Sequence, residues 1–212
     1  MAWALVLAGA LLERVSLLLL ATTIVLASLL CNWVQALALL VGAPEVAQHV
    51  ATVWWVLLAY FVECVSAIPV FWTGEALPTR KERAVLIANH GPGLDAVSGL
   101  VVAERAGIGC GRVITFLKRS LLAVPCIGFT HYLQGSIFLN RDWDLDQRIL
   151  NRKLKAVSRL RHHVWVGLYP EETRFSQLKL RQAQQRAREE GLPQPKNILL
   201  PKAQGFVYLL SK

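Results

Sequence analysis

From Val15 to Gly42 the chain carries no charged residue. A helix over that run can cross the hydrocarbon core of a bilayer, which takes roughly 20 apolar residues. A second apolar run, Val50 to Trp72, is broken by Glu63. A carboxylate near mid-membrane is costly, so this segment is expected to be tilted, re-entrant or interfacial, with Glu63 an interfacial residue without function. Trp54, Trp55, Tyr60, Phe61, Phe71 and Trp72 suit a belt at headgroup level. Gly42-Ala43-Pro44-Glu45 reads as the turn between the two segments. A cleaved signal peptide is disfavoured, because Glu13-Arg14 makes a poor n-region.

Charge divides the chain in two. Among 212 residues, 54% are apolar, and the mean hydropathy of +0.41 is high for a soluble protein. The excess is localised. Residues 1–72 hold only Glu13, Arg14, Glu45 and Glu63 as charged groups, and the other 22 Lys/Arg and 11 Asp/Glu lie in residues 73–212. Residues 1–72 therefore read as membrane-anchoring apolar helices, and residues 73–212 as one basic, water-soluble domain. Such a domain suits anionic headgroups or phosphorylated ligands. Nucleic acid is set aside, because the basic residues form no nucleic-acid motif. Arg80, Lys81 and Arg83 directly follow the apolar third and place the domain on the cytosolic side. The four cysteines, Cys31, Cys64, Cys110 and Cys126, form no CxxC pair and suggest neither a disulfide framework nor a zinc site.

Within the basic domain, Ala84–Ala88 reads as a buried strand, followed by a helix from Leu94 to Ala106 that Gly107 ends. Arg112–Leu117, Gly135–Asn140, Val164–Tyr169 and Ile198–Leu200 are strand-like. Asp142–Arg161 places Leu145, Ile149, Leu150, Leu154, Val157 and Leu160 at helical spacing, with Asp142, Asp144 and Asp146 in the first turn and basic residues later, as the helix dipole favours. Ser176 caps a polar helix that ends at Gly191-Leu192-Pro193. Strands alternating with helices predict an α/β domain. His162-His163 read as a solvated helix end, since neighbouring side chains diverge, and His49 and His131 read as structural.

The chemistry concentrates in Asn89-His90-Gly91-Pro92-Gly93-Leu94-Asp95. The glycines and proline permit a tight turn that can fold Asp95 back onto the His90 imidazole. The carboxylate would then fix the tautomer through one ring nitrogen and leave the other to take a proton from a hydroxyl. Imidazole suits that work because it titrates near neutral pH. Taken alone the spacing is weak, and two tracts further along the chain give it weight. Gly135-Ser-Ile-Phe138-Leu-Asn-Arg141 ends one strand with an Arg, and Tyr169-Pro170-Glu171-Glu172-Thr173-Arg174 ends another with an acid and an Arg. Ligands bind at strand ends in α/β sheets. Arg141, Arg174 and Lys118 together would make an anion pocket beside the His. No G-x-S-x-G elbow supports a serine hydrolase route.

NH-x4-D, then G-x-x-F-x-x-R, then P-E-x-T-R, then a Pro after an apolar run, in this order, resembles the four acyltransferase blocks of the 1-acylglycerol-3-phosphate acyltransferases. Phe116 through Pro125 to Gly128, Arg141-Asp-Trp143, and Gly191-Leu-Pro193 through Pro201 to Phe206 are similar to the eukaryotic branch, so the resemblance covers about residues 50–207. It implies a mixed sheet flanked by helices behind N-terminal membrane helices. It implies His90 as general base with Asp95 as its partner, and Gly135, Phe138 and Arg141 in the second block. Glu171, Thr173 and Arg174 fall in the third block, which serves the phosphate-bearing acceptor. Pro201 falls in the fourth, on the acyl-CoA side. It further implies acyl-CoA as co-substrate with no cofactor, no metal and no acyl-enzyme, lysophosphatidic acid or a related lysophospholipid as acceptor, and an endoplasmic reticulum membrane. The sn-2 hydroxyl of 1-acylglycerol-3-phosphate would be acylated to phosphatidic acid. The alternatives are a different lysophospholipid acceptor, water as in a thioesterase, or an impaired member of the fold. Two departures bear on this. Glu172 stands where the family usually has Gly, which costs about 1 kcal/mol or more if the backbone there needs a positive φ. The chain also ends six residues past Phe206, short of the family's usual extent, so a truncated C-terminus is expected.

Overall fold

The computed structural model describes residues 2–66, 71, 73–76, 82–91, 95–124, 126–160 and 163–211. Trp72, Arg80, Lys81, Pro92, Gly93, Leu94, Pro125 and His162 lie outside the described residues, as do the Phe61 and Glu63 side chains. Among the described residues four short strands form one sheet: β1 (Ala84–Ile87), β2 (Val113–Lys118), β3 (Ile137–Leu139) and β4 (Trp165–Leu168). Their spatial order is β1-β4-β2-β3 and every pairing is parallel. The α/β class is as expected, with a parallel sheet where a mixed one was anticipated. Ala84-Val-Leu-Ile is an apolar run as expected, but not a buried strand: β1 lies at the edge of the sheet, half-buried, with Ile87 51% exposed.

Helices cover both faces. On one face, Val113 and Trp165 join Trp54 and Trp55 from α2 (Pro44–Ser66) and Leu100 and Ala103 from α3 (Asp95–Arg105). On the other, Ile114, Ile137 and Val164 pack with Leu150 and Leu154 of α5 (Trp143–Ser158) and with Tyr208 and Leu209 of α7 (Ala203–Leu210). The expected Ser176 cap of α6 (Gln177–Glu189) is in place, and Asp142, expected as first-turn charge, is the cap of α5. Asp142 accepts from the Asp144 and Leu145 N–H groups, and Ser176 from the Lys179 N–H. Asp146 does more than complement the dipole. It is 5% exposed and accepts from the Asn140 and Arg141 N–H groups, so it fixes the turn after β3.

The apolar third divides differently from expectation. α1 (Ala2–Leu40) contains the described helical segment long and apolar enough to cross a membrane, Arg14–Leu40. The turn after it falls at Gly42, φ 73°, with Pro44 opening α2, where its missing N–H costs nothing. α2 is no second span of that kind. Its Ala47, Ala51, Trp54, Trp55 and Ala59 are buried. Trp54 and Trp55 therefore serve the domain core, not a headgroup belt, while Tyr60 and Phe71 are exposed. The docking is specific. A Cβ on Gly111 would sit 2.1 Å from the Gln48 carbonyl oxygen, so only glycine lets the helix come this close. The Trp55 indole donates to Gln134 Oε1 at 2.8 Å, and Gln134 Nε2 donates to the Cys110 and Val113 carbonyls.

Two further corrections concern elements. Ile198–Leu200 is not a strand. Leu199 is buried and gives its N–H to a carboxylate instead of to a neighbouring strand. The short helix α4 (Ile127–Leu133) and the 3-10 turn at Arg119–Ala123 before it had no predicted counterpart.

Candidate active site

Because the strands are parallel, their carboxyl ends share one edge of the sheet, and the loops that leave that edge can meet. β1 leads into His90 and β4 into Glu171. The β1–β4 pairing extends past the strands, with Ala88 N–H donating to the Leu168 carbonyl at 3.2 Å. His90 is then held on several sides. Its N–H donates to Glu171 Oε2 at 3.2 Å, and its carbonyl accepts from the Phe175 N–H at 2.8 Å. The Tyr169 ring stacks on the imidazole with centroids 4.5 Å apart and planes at 24°. His90 Nδ1 is hydrogen-bonded to Asp95 Oδ2. A carboxylate only accepts, so Nδ1 carries the proton and Nε2 presents its lone pair. The side chains are 22% and 13% exposed, so the pair is half-buried at the sheet edge.

Three of these contacts had no clear signal beforehand. Tyr169 donates its hydroxyl to the Asp95 carbonyl at 3.3 Å, which ties the stacking ring to the first turn of α3. Burial, and then the neighbouring Asp95 charge, push the Tyr169 hydroxyl up, so it stays a donor. Glu171 is 6% exposed and its two oxygens divide between the His90 and Leu199 N–H groups. It therefore fastens the segment before Pro201 to the loop that carries the imidazole. The third is Lys179, whose ammonium donates to Thr173 Oγ1 at 2.6 Å and to the Arg174 carbonyl at 3.0 Å. A cation in the first turn of α6 opposes the helix dipole, and that was the one sign of it in the sequence.

The remaining predicted residues fall into two groups. At the site edge, Arg141 donates from Nη2 to the Glu172 carbonyl at 3.1 Å, so the β3 loop reaches across the end of β2 to the β4 loop. Lys118 ends β2 between them, exposed, and Arg174 is exposed as well. Pro201 is exposed next to Lys202, whose N–H donates to the Pro170 carbonyl at 2.9 Å. Away from that edge, Gly135 turns the chain into the amino end of β3 with φ 90°, and Phe138 is buried within β3. Among the described residues no three His, Cys, Asp or Glu side chains gather as metal ligands would.

The Glu172 departure resolves in geometry. Its φ is 57°, the left-handed region that glycine would enter without strain. Its carboxylate turns to Lys202 Nζ at 2.7 Å, which offsets the added charge.

An acyltransferase family model matches residues 69–206. The chain is 32% identical over 170 residues to 1-acyl-sn-glycerol-3-phosphate acyltransferase 2 of Arabidopsis thaliana, covering 79% of this chain and 43% of that protein. The Brassica napus protein of the same name is 30% identical over 196 residues, covering 88% and 50%. The human 1-acyl-sn-glycerol-3-phosphate acyltransferase gamma is 38% identical over 127 residues, covering 59% and 33%. The chain thus spans about half the length of the curated relatives it matches. No solved structure matches it significantly. With the family match running from just before β1 to just past Pro201, over the same loops that converge at the sheet edge, the chain belongs to the acyltransferase family.

Proposed function

We propose that this chain transfers an acyl group from acyl-CoA to the sn-2 hydroxyl of 1-acylglycerol-3-phosphate, giving phosphatidic acid, at the cytosolic face of the endoplasmic reticulum. The observation that carries the reading is the His90–Asp95 pair, bonded through Nδ1, at the sheet edge that also bears Lys118, Arg141 and Arg174. The names of the relatives support the acceptor. Nε2 takes the hydroxyl proton as the oxygen attacks the thioester carbonyl. The C–S bond breaks, the imidazolium returns the proton to the departing thiolate, and Asp95 stabilises the cation between the two steps. The thioester is already activated, so no acyl-enzyme is needed. The exposed cations suit the acceptor phosphate and the CoA phosphates.

The test is CoA release in native membranes, with and without lysophosphatidate. Release by wild type should require the acceptor. His90→Ala should lower it by roughly 10²–10⁴-fold. Arg174→Ala should mainly raise the acceptor KM. An unchanged rate in His90→Ala overturns the mechanism, and release that ignores the acceptor makes the protein a thioesterase.

A further inference from the structure

α4 and the 3-10 turn before it present a row of large apolar side chains to the outside. Leu122, Val124, Ile127, Phe129 and Tyr132 are between 36% and 54% exposed. The opposite side of α4 is fully used. Gly128 lies against the Leu121 and Leu122 carbonyls, Thr130 and His131 are buried, and His131 packs on Trp55 with centroids 4.8 Å apart. The exposed row is therefore not a core face left open by a loose helix. It is a built ledge, with the Phe129 and Tyr132 rings parallel to within 9°.

The depth of this ledge is fixed by what α4 touches on α1. Ser28 Oγ donates to the Cys126 carbonyl at 3.4 Å, and Thr130 Oγ1 donates to Asn32 Oδ1 at 2.8 Å. The Cys126 thiol lies 3.9 Å from the Val25 carbonyl. α4 and the residue before it thus lie beside α1 over about two of its turns, at residues 25–32. That is the middle of the Arg14–Leu40 segment. Its 27 residues extend about 40 Å at 1.5 Å per residue, against a hydrocarbon core of about 30 Å. Residues 25–32 then fall within the hydrocarbon, and so does whatever is bolted to them at the same level. The outward residues of α1 there, Leu26, Leu29 and Trp33, are apolar and exposed, and the ledge continues their surface.

We infer that this ledge is sunk into the acyl-chain layer of the membrane leaflet beside α1. Its rim fits that occupant. Lys118 and Arg119 stand exposed where the turn leaves β2, and the Lys153 ammonium lies 6.0 Å from the Tyr132 ring centroid. Long cationic side chains that border an apolar surface extend from it toward the anionic headgroups of a leaflet, whereas a second copy would bring its own cations against them. The ledge also begins directly after Lys118, on the site's own edge, so an acyl chain in the leaflet lies within a few residues of the site cations. The inference rests on reading α1 as lipid-bound.

The test replaces Phe129 and, separately, Tyr132 with the photoreactive p-benzoylphenylalanine in the full chain. Leu26 on α1 and Gln182 on the exposed polar face of α6 are replaced likewise. Each protein is reconstituted in phosphatidylcholine–phosphatidylserine vesicles carrying a radiolabelled acyl chain and then irradiated. Lipid adducts at positions 129 and 132 should match those at 26 and exceed those at 182 several-fold. Adducts at 26 without adducts at 129 and 132 overturn the ledge alone. Absence at all three overturns the lipid-bound reading of α1 as well. Cross-links between two copies, or equal labelling at 182, also overturn it. The CoA-release assay on His90→Ala is independent of these outcomes, so a failure here leaves the catalytic reading standing.

Discussion

Glu171 and Glu172 are adjacent carboxylates that the fold uses in opposite ways, and replacing each by Gln separates the two. Glu171 is buried and accepts from two backbone N–H groups, those of His90 at 3.2 Å and Leu199 at 3.1 Å. A glutamine keeps one acceptor oxygen and turns an NH₂ donor toward the other N–H. The loss of one charge-assisted bond costs about 1.5–3 kcal/mol, and the donor left facing a donor adds about 1–3 kcal/mol. A total near 4 kcal/mol corresponds to a melting point lower by about 10 °C in a chain of this size. Glu172 pairs with Lys202 at the surface, where both side chains are about half exposed. Its Gln variant should cost no more than about 1 kcal/mol, or a shift of roughly 2–4 °C at most. The assay is thermal unfolding of both variants in the same detergent. If Glu171→Gln melts within about 2 °C of the wild type, the bridging role argued for this carboxylate is wrong, because so small a shift fits only a solvated side chain. Activity should fall with Glu171→Gln even well below the melting point, since the carboxylate positions the backbone that carries His90.

Three further outcomes are expected. Asp95→Asn should lower kcat by roughly 10²–10⁴-fold with little change in acceptor KM, because the amide no longer fixes the Nδ1–H tautomer or the imidazolium; steady-state kinetics checks it. Burial holds the His131 imidazole down to about 4 from 6.5, so the folded state resists a proton that the unfolded chain accepts. Stability should be at its full value above pH 6.5 and fall by about 3 kcal/mol as the pH drops toward 4, and His131→Gln should flatten that slope in unfolding measured across this range. Gly111→Ala should destabilise by about 3 kcal/mol in the same unfolding assay, because the new methyl would overlap the Gln48 carbonyl and prise α2 from the sheet.

Much of this was legible from local pattern. Apolar runs between charges became β1, β2 and β4, because strands of a parallel sheet covered by helices carry no regular polar alternation. The caps Asp142 and Ser176 acted where they stand, because a side chain capping N–H groups two or three residues on needs no tertiary partner. The His90–Asp95 pair is also local, five residues apart across a glycine-containing turn, and the order of the motif blocks placed the arginines at strand ends.

What sequence could not supply was everything that depends on a distant partner. Ile198–Leu200 has the apolar text of a strand, yet Leu199 donates to Glu171, because a strand exists only where a neighbour offers its edge. Trp54 and Trp55 have the text of a membrane belt, and only the packing of α2 against the sheet turned them inward. Ser28, Asn32 and Gln35 recur at helical spacing in a charge-free run, but their meaning waits on α4, whose Thr130 meets Asn32. The amino-acid order by itself determined the α/β class, the apolar anchor and the identity of the candidate base. Tertiary structure alone decided which apolar residues face the core, which carboxylate holds the site loops together, and where the domain sits along α1. The physical reason is that capping, turn chemistry and periodicity are set within a few residues, whereas burial and the pairing of polar groups are set by whichever segment closes over them.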